Sequence, residues 1–140
     1  MIIITDTREQ LPYWTDDRQT LIVGDYTTKK LYGKFHIERK SLSDLYGTLV
    51  QGNHRFKAEL FRAAYHHISI VVYVEGTKAN FIAKNFPKGR ERKFTSAGLA
   101  ALISTFEKKY YLEFQWLASR NSAKKAVFKR LGLEEKNKLK

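Results

Sequence analysis

Residues 68–75, Ile-Ser-Ile-Val-Val-Tyr-Val-Glu, constrain the fold more than any other stretch. Such a run of β-branched and aromatic residues suits an extended strand covered on both faces. A strand covered on both faces needs helices to cover it, and the sequence around it supplies them. Gly76 ends the run.

Elements before and after this strand can be read from periodicity and caps. Residues 2–5 form a short apolar run, expected as the first strand, and residues 6–18, with Pro12, read as a loop. Residues 20–26 and 34–39 read as two further strands, with Gly33 in or near their turn. Ser41 is placed to cap a helix, with Asp44 near the positive end of its dipole. That helix is expected to end around Gly52. A second covers 54–67, with Phe56, Leu60, Ala63 and Ala64 on one face.

After the central strand, residues 78–93 are basic and irregular, with Pro87 and Gly89. Thr95 can cap a third helix, whose buried face is marked by Leu99, Leu102, Ile103, Phe106 and Tyr110. A strand over 111–117, a last helix over 119–131 and a frayed charged tail over 132–140 complete the chain. The order β, β, β, α, α, β, α, β, α predicts an α/β protein, a mixed sheet flanked by helices. At 140 residues without a visible linker, one domain over 1–140 is expected.

Charge narrows the partner. Residues 1–76 carry 10 Lys/Arg against 9 Asp/Glu, whereas residues 77–140 carry 16 against 5. A basic half on a chain of net charge +12 points to a polyanion, with nucleic acid the leading class. The absence of cysteine excludes disulfide frameworks and thiolate zinc sites. The N-terminus reads as a strand and not as a signal peptide, and no apolar run approaches a membrane span. A soluble intracellular protein, cytoplasmic or nuclear, is expected.

The chemistry centres on Asp25 and the run Glu38-Arg39-Lys40. Residues i and i+2 of a strand share a face, so Glu38 and Lys40 project together and Arg39 projects the other way. Hairpin pairing can bring Asp25 beside Glu38. Two carboxylates and one ammonium then converge, a set suited to metal-assisted phosphodiester hydrolysis. Asp6-Thr-Arg8-Glu9, directly after the first strand, offers Asp6 as a further metal ligand and Arg8 as a phosphate clamp. Taken alone, each of these motifs is also compatible with ordinary surface ion pairs. His66-His67 is not a metal site by spacing, because adjacent helical side chains point apart. Trp14, Trp116, Tyr110, Tyr111 and Phe114 suit base stacking, but core packing or a dimer face accounts better for the last four.

Taken together, Asp6-Thr-Arg8-Glu9, Gly24-Asp25-Tyr26 and Glu38-Arg39-Lys40-Ser41-Leu42-Ser43-Asp44 resemble the nuclease domain of the XPF/Mus-type structure-specific endonucleases. That family carries D-x-R-E, G-D-Y and E-R-K-x-x-x-D in this order. Gly52 with Arg55, and Val74-Glu75-Gly76, extend the likeness, which covers about residues 2–76 by motif. The resemblance implies a restriction-endonuclease-like fold, Mg²⁺ or Mn²⁺ dependence, and cleavage of branched, flapped or junction DNA. It implies Asp25 and Glu38 as metal ligands and Lys40 as the catalytic lysine. Asp6, Arg8, Glu9, Arg39 and Asp44 then support the active site, with Asp44 holding Arg39 or Lys40.

DNA contacts are expected from Arg55, from the basic segment Lys84, Lys88, Arg90, Arg92 and Lys93, and from Lys124, Lys125, Lys129 and Arg130. The family also implies a homodimer, expected to use the third helix and the strand after it. A non-catalytic DNA-binding partner subunit, a junction resolvase or restriction-type enzyme, and an RNA binder remain as alternatives.

Overall fold

A computed structural model describes residues 1–138 of the chain. Six strands form one mixed sheet in the order β2-β1-β3-β4-β5-β6. They are β1 (Ile3–Asp6), β2 (Asp17–Gln19), β3 (Tyr26–Thr28), β4 (Phe35–Ser41), β5 (Ser69–Glu75) and β6 (Glu113–Leu117). β1 pairs antiparallel with β3 and β3 with β4, while β1–β2, β4–β5 and β5–β6 are parallel. The helices are α1 (Leu42–Leu49), α2 (Asn53–Tyr65), α3 (Lys78–Ile82), α4 (Ser96–Lys109) and α5 (Arg120–Lys138).

β5 lies inside the sheet, and its residues explain why. Val72 and Val74 face a core shared with α1, α2 and α4, built on Leu45, Leu49, Phe56, Ile103 and Phe106. Val71 and Tyr73 face the other layer, where Ala123, Val127 and Leu131 of α5 close the core with Tyr13, Tyr26 and Ile37. The sheet is therefore covered on both sides.

Three boundaries differ from the sequence expectation, each for a local reason. Residues 20–25 are not a strand, although Leu21 and Val23 are buried and Ile22 exposed as alternation predicts. The Leu21 N–H is spent on the Asp6 carboxylate, and Gly24 turns the chain at φ +79°. β2 was hidden within the expected loop over 6–18; it is a three-residue edge strand of polar residues with no apolar pattern. The expected frayed tail from 132 is helical as far as Lys138, and residues 139–140 lie outside the described part of the chain. The basic stretch after β5 is also ordered, with α3 capped by Thr77 and a 3-10 turn at Gly89–Glu91.

Candidate active site

Gly24-Asp25-Tyr26 sits where β1, β3 and β4 meet. A Cβ on Gly24 would come within 3.0 Å of His36 Cβ and 3.3 Å of the Ile37 carbonyl oxygen, at a φ that L-residues rarely adopt. Glycine there lets Asp25 approach β4. The Asp25 N–H donates to Ile37 O at 2.8 Å, and the Asp25 carbonyl accepts from Asp6 N–H at 2.8 Å. The carboxylate then accepts the Arg39 N–H at 2.8 Å, which aims it along β4 toward Glu38. Below this turn, buried His36 is held as a neutral ring, its pKa lowered by burial. It bridges Val23 O and the Gly33 N–H, at 2.7 and 3.0 Å.

Glu38 and Lys40 project from one face of β4. Glu38 is only 6% exposed. No N–H group donates to its carboxylate among the described residues; its polar neighbours are Asp25, Glu59 and Lys40. Burial, and then the charges of Asp25 and Glu59, push the Glu38 carboxyl well above the usual carboxylate range. Burial also pushes Asp25 up, to about 6. Two neighbouring buried carboxylates cannot both ionise cheaply. Lys40 forms no direct ion pair among the described residues. It faces an open cleft with Asp44, Arg55, Glu59 and Arg92.

Arg39 points to the opposite face of β4, as alternation requires. Its guanidinium binds Glu75 through Nε and Nη2, both at 3.0 Å, and reaches Glu9 at 3.3 Å. The Tyr13 hydroxyl donates to Glu75, and the Tyr26 hydroxyl approaches Glu9 at 3.4 Å. Arg39 and Arg120 both lie over the Tyr13 ring. Burial alone would raise Glu75, but the hydrogen bonds from Arg39 and Tyr13 hold it below the usual range. Asp44 does not hold Arg39: its N–H is capped by Ser41 Oγ at 3.1 Å, and its exposed carboxylate stands at the cleft with Lys40.

Asp6 lies close to Asp25 and Glu38, lining the same small pocket. Its oxygens accept from Arg8 Nε at 2.9 Å, Arg8 Nη2 at 3.0 Å, Arg8 N–H at 3.2 Å and Leu21 N–H at 2.8 Å. Burial would raise Asp6, and these bonds more than offset it, leaving its pKa lowered. Asp6 is thus already saturated with donors, a poorer ligand than the sequence suggests. Arg8 remains 67% exposed in its side chain, at the mouth of the pocket.

The residue that sequence reading missed is Glu59. It lines both the Asp25–Glu38 pocket and the Lys40 cleft. Arg55, Glu59 and Arg62 recur at helical spacing on α2 beside the apolar face, but such a charged helix face is by itself ordinary.

The basic residues divide by location. Arg55 and Arg92 line the cleft. Lys84 is turned inward, its Nζ donating to Arg92 O at 3.0 Å, while Lys88, Arg90 and Lys93 are exposed on the same segment. Lys124, Lys125 and Lys129 lie on α5, which packs against the other face of the sheet, Lys124 beside Trp14. Arg130 is committed to Glu113 and Glu134, at 2.7 and 3.1 Å, and covers Phe35. Of the aromatics, Phe114 and Trp116 belong to the core, whereas Tyr111 is 88% exposed.

Among the described residues no three His, Asp or Glu side chains converge closely enough to cage a metal unaided. Mg²⁺ does not require that, since it is commonly held by one or two carboxylates and keeps several waters. The buried Asp25–Glu38 pair, with no cation in contact, has the donor chemistry for such an ion. No described helix is long and apolar enough to cross a membrane.

No protein-family model matches the sequence, and no curated protein does. Among solved structures, the chain matches XPF from Aeropyrum pernix with a TM-score of 0.71 at 19% identity, over 94% of this chain and 66% of that one. It matches XPF from Aeropyrum pernix in complex with DNA with a TM-score of 0.72 at 19% identity, over 96% of this chain and 65% of that one. The chain thus spans about two thirds of the length of those solved chains. At this identity the likeness is one of fold: the chain has an XPF-type, restriction-endonuclease-like nuclease fold.

Proposed function

We propose that this chain, built on an XPF-type nuclease fold, is a metal-dependent DNA endonuclease acting on branched, flapped or junction DNA. The observation that carries the reading is the Asp25–Glu38 pair. Two adjacent carboxylates are held in the sheet with burial outweighing the charge of Lys40, which stands on the same face. A purely structural pair would have gained a partner, as Arg39 gives Glu75 across the strand.

Asp25 and Glu38 would hold Mg²⁺ or Mn²⁺, with the Asp25 orientation fixed by the Arg39 N–H. The ion, when bound, polarises a phosphoryl oxygen and lowers the pKa of its water. Lys40 positions the attacking water or steadies charge developing on phosphorus. Arg8, at 67% side-chain exposure, is placed to grip a phosphate at the pocket mouth. Arg55, Arg92 and the exposed cations after α3 supply the polyanion attraction that the net charge of +12 anticipates. The solved complex of XPF with DNA supports DNA as the partner.

A homodimer through α4 and β6 belongs to the same reading. β6 is an edge strand of the sheet, which leaves one side of its backbone available. At micromolar protein, light scattering is expected to give twice the chain mass; a monomer contradicts this part.

The test is cleavage of labelled flap, fork, four-way junction, linear duplex and single-stranded DNA in Mg²⁺, Mn²⁺ or EDTA. Wild type is expected to cut a branched substrate only with metal, and Asp25→Asn is expected to cut none. Binding without cutting under every metal would leave a DNA-binding module. Symmetric cutting of the four-way junction alone would make it a resolvase.

A further inference from the structure

We propose that the cleft beside Lys40 is a subsite for one unpaired nucleotide of the strand being cut; this rests on the nuclease reading above. The cleft has a volume of about 480 Å³ and lies between α1, the α1–α2 elbow, α2 and Arg92 of the basic segment. That is the size range of small-molecule pockets. It is continuous with the catalytic groups through Lys40 and Glu59.

Its walls carry the groups a nucleotide needs. Ser43, Thr48 and Gln51 offer both donors and acceptors to a base edge. Arg55 and Arg92 offer cations to a phosphate. Arg92 is the distinctive member. Its guanidinium lies 5.1 Å from the Tyr46 ring centroid, and its backbone oxygen is tied by Lys84 Nζ. Its Nε is buried with no hydrogen-bond partner among the described residues. Buried donors are rarely left unmet, so this Nε is a donor that a ligand's acceptor can satisfy. Arg55 makes no ion pair among the described residues.

The elbow is rigid. Gly52 N–H donates to Gly47 O at 2.7 Å, and a Cβ on Gly52 would meet that oxygen at 3.2 Å. Gly47 itself faces open space, with nothing within 4 Å of a Cβ placed there. A base stacked and paired in duplex cannot turn its edge into this cleft between helices without first leaving the stack. An unpaired nucleotide can, so the cleft favours the unpaired side of a junction.

Gly47→Leu tests this without disturbing the fold. The new side chain enters open space, improves helix propensity and occupies part of the cleft. Fluorescence anisotropy in EDTA compares a labelled flap DNA with a duplex of the same sequence. Gly47→Leu is expected to weaken flap binding about tenfold while leaving duplex binding within about twofold, with an unchanged circular dichroism spectrum. Arg92→Gln is expected to shift the same ratio in the same direction. Equal weakening of both DNAs, no weakening of either, or no flap preference in wild type overturns the subsite. Because EDTA removes cleavage from the readout, the two readings fail separately. Flap preference lost in Gly47→Leu by a protein that never cuts sinks only the nuclease. Metal-dependent cutting with undiminished flap preference in Gly47→Leu sinks only the subsite.

Discussion

The two faces of β4 are built from adjacent residues and could hardly differ more in electrostatics. On one side Arg39 is enclosed by Glu75, Glu9 and the Tyr13 ring, and its charge is met. On the other, Glu38 faces Asp25 and Glu59, and the charge of Lys40 does not offset them and burial. The first face lowers the pKa of its carboxylate and the second raises both of its own. Their contributions to stability therefore run in opposite directions with pH. Glu75 stabilises when ionised, and that contribution is lost as acid protonates it. Asp25 destabilises when ionised: its cost is absent below about pH 4 and complete above about pH 6. One face is closed by its own ion pairs, and the other holds carboxylates that burial keeps costly to ionise.

Four substitutions sharpen or break this contrast. Arg39→Met should have the largest effect on folding, because it strands Glu75 and Glu9 near the core. A loss of roughly 3 kcal/mol in urea unfolding is expected, since breaking a buried ion pair leaves an uncompensated charge. A loss below about 0.5 kcal/mol would show that the partnered face is not structural.

Lys40→Met should leave urea unfolding within about 0.5 kcal/mol of wild type. Its effect belongs in the single-turnover rate of flap cleavage, expected to fall about 10²–10³-fold. Equal cleavage by this variant removes Lys40 from the chemistry.

Asp25→Asn should do the reverse of most active-site changes and stabilise the metal-free protein, by roughly 1–3 kcal/mol at pH 7.5. The gain should shrink toward zero as pH falls to about 4, where wild-type Asp25 is itself protonated. A gain that is flat with pH contradicts the account of an Asp25 carboxyl raised by burial.

Glu59→Gln should be the mildest. It removes one negative charge beside Glu38 while keeping a polar side chain, so a rise of about 1 kcal/mol or less in metal-free stability is expected. Destabilisation would show that Glu59 is an asset to the apo fold and not a member of the repulsive cluster.

Much of this was legible from residue order. The central strand, its helices on both sides, and the caps at Ser41 and Thr95 are local patterns and emerged as read. So did the division of Glu38 and Lys40 from Arg39, which needs only the period of a strand. Asp25 beside Glu38 was also readable, because Gly24 permits one close approach. What could not be read depends on contacts distant in sequence. The three residues of β2 carry no apolar pattern, and only pairing with β1 makes them a strand. Glu59 is an ordinary helix-surface acid until α2 is laid across the carboxylates. Asp6 looked like a ligand because nothing local shows that the Leu21 N–H, fifteen residues away, claims it. Arg130 looked like a DNA contact until β6 brought Glu113 to it.

The central claim is the proposal that Asp25 and Glu38 together bind a divalent cation. Isothermal titration of Mn²⁺ into wild type, Asp25→Asn and Glu38→Gln at pH 7.5 tests it directly. Saturable binding at about one ion per chain in wild type, weakened at least about tenfold in both variants, is the predicted result. No binding to wild type, or binding that survives both substitutions, would contradict it.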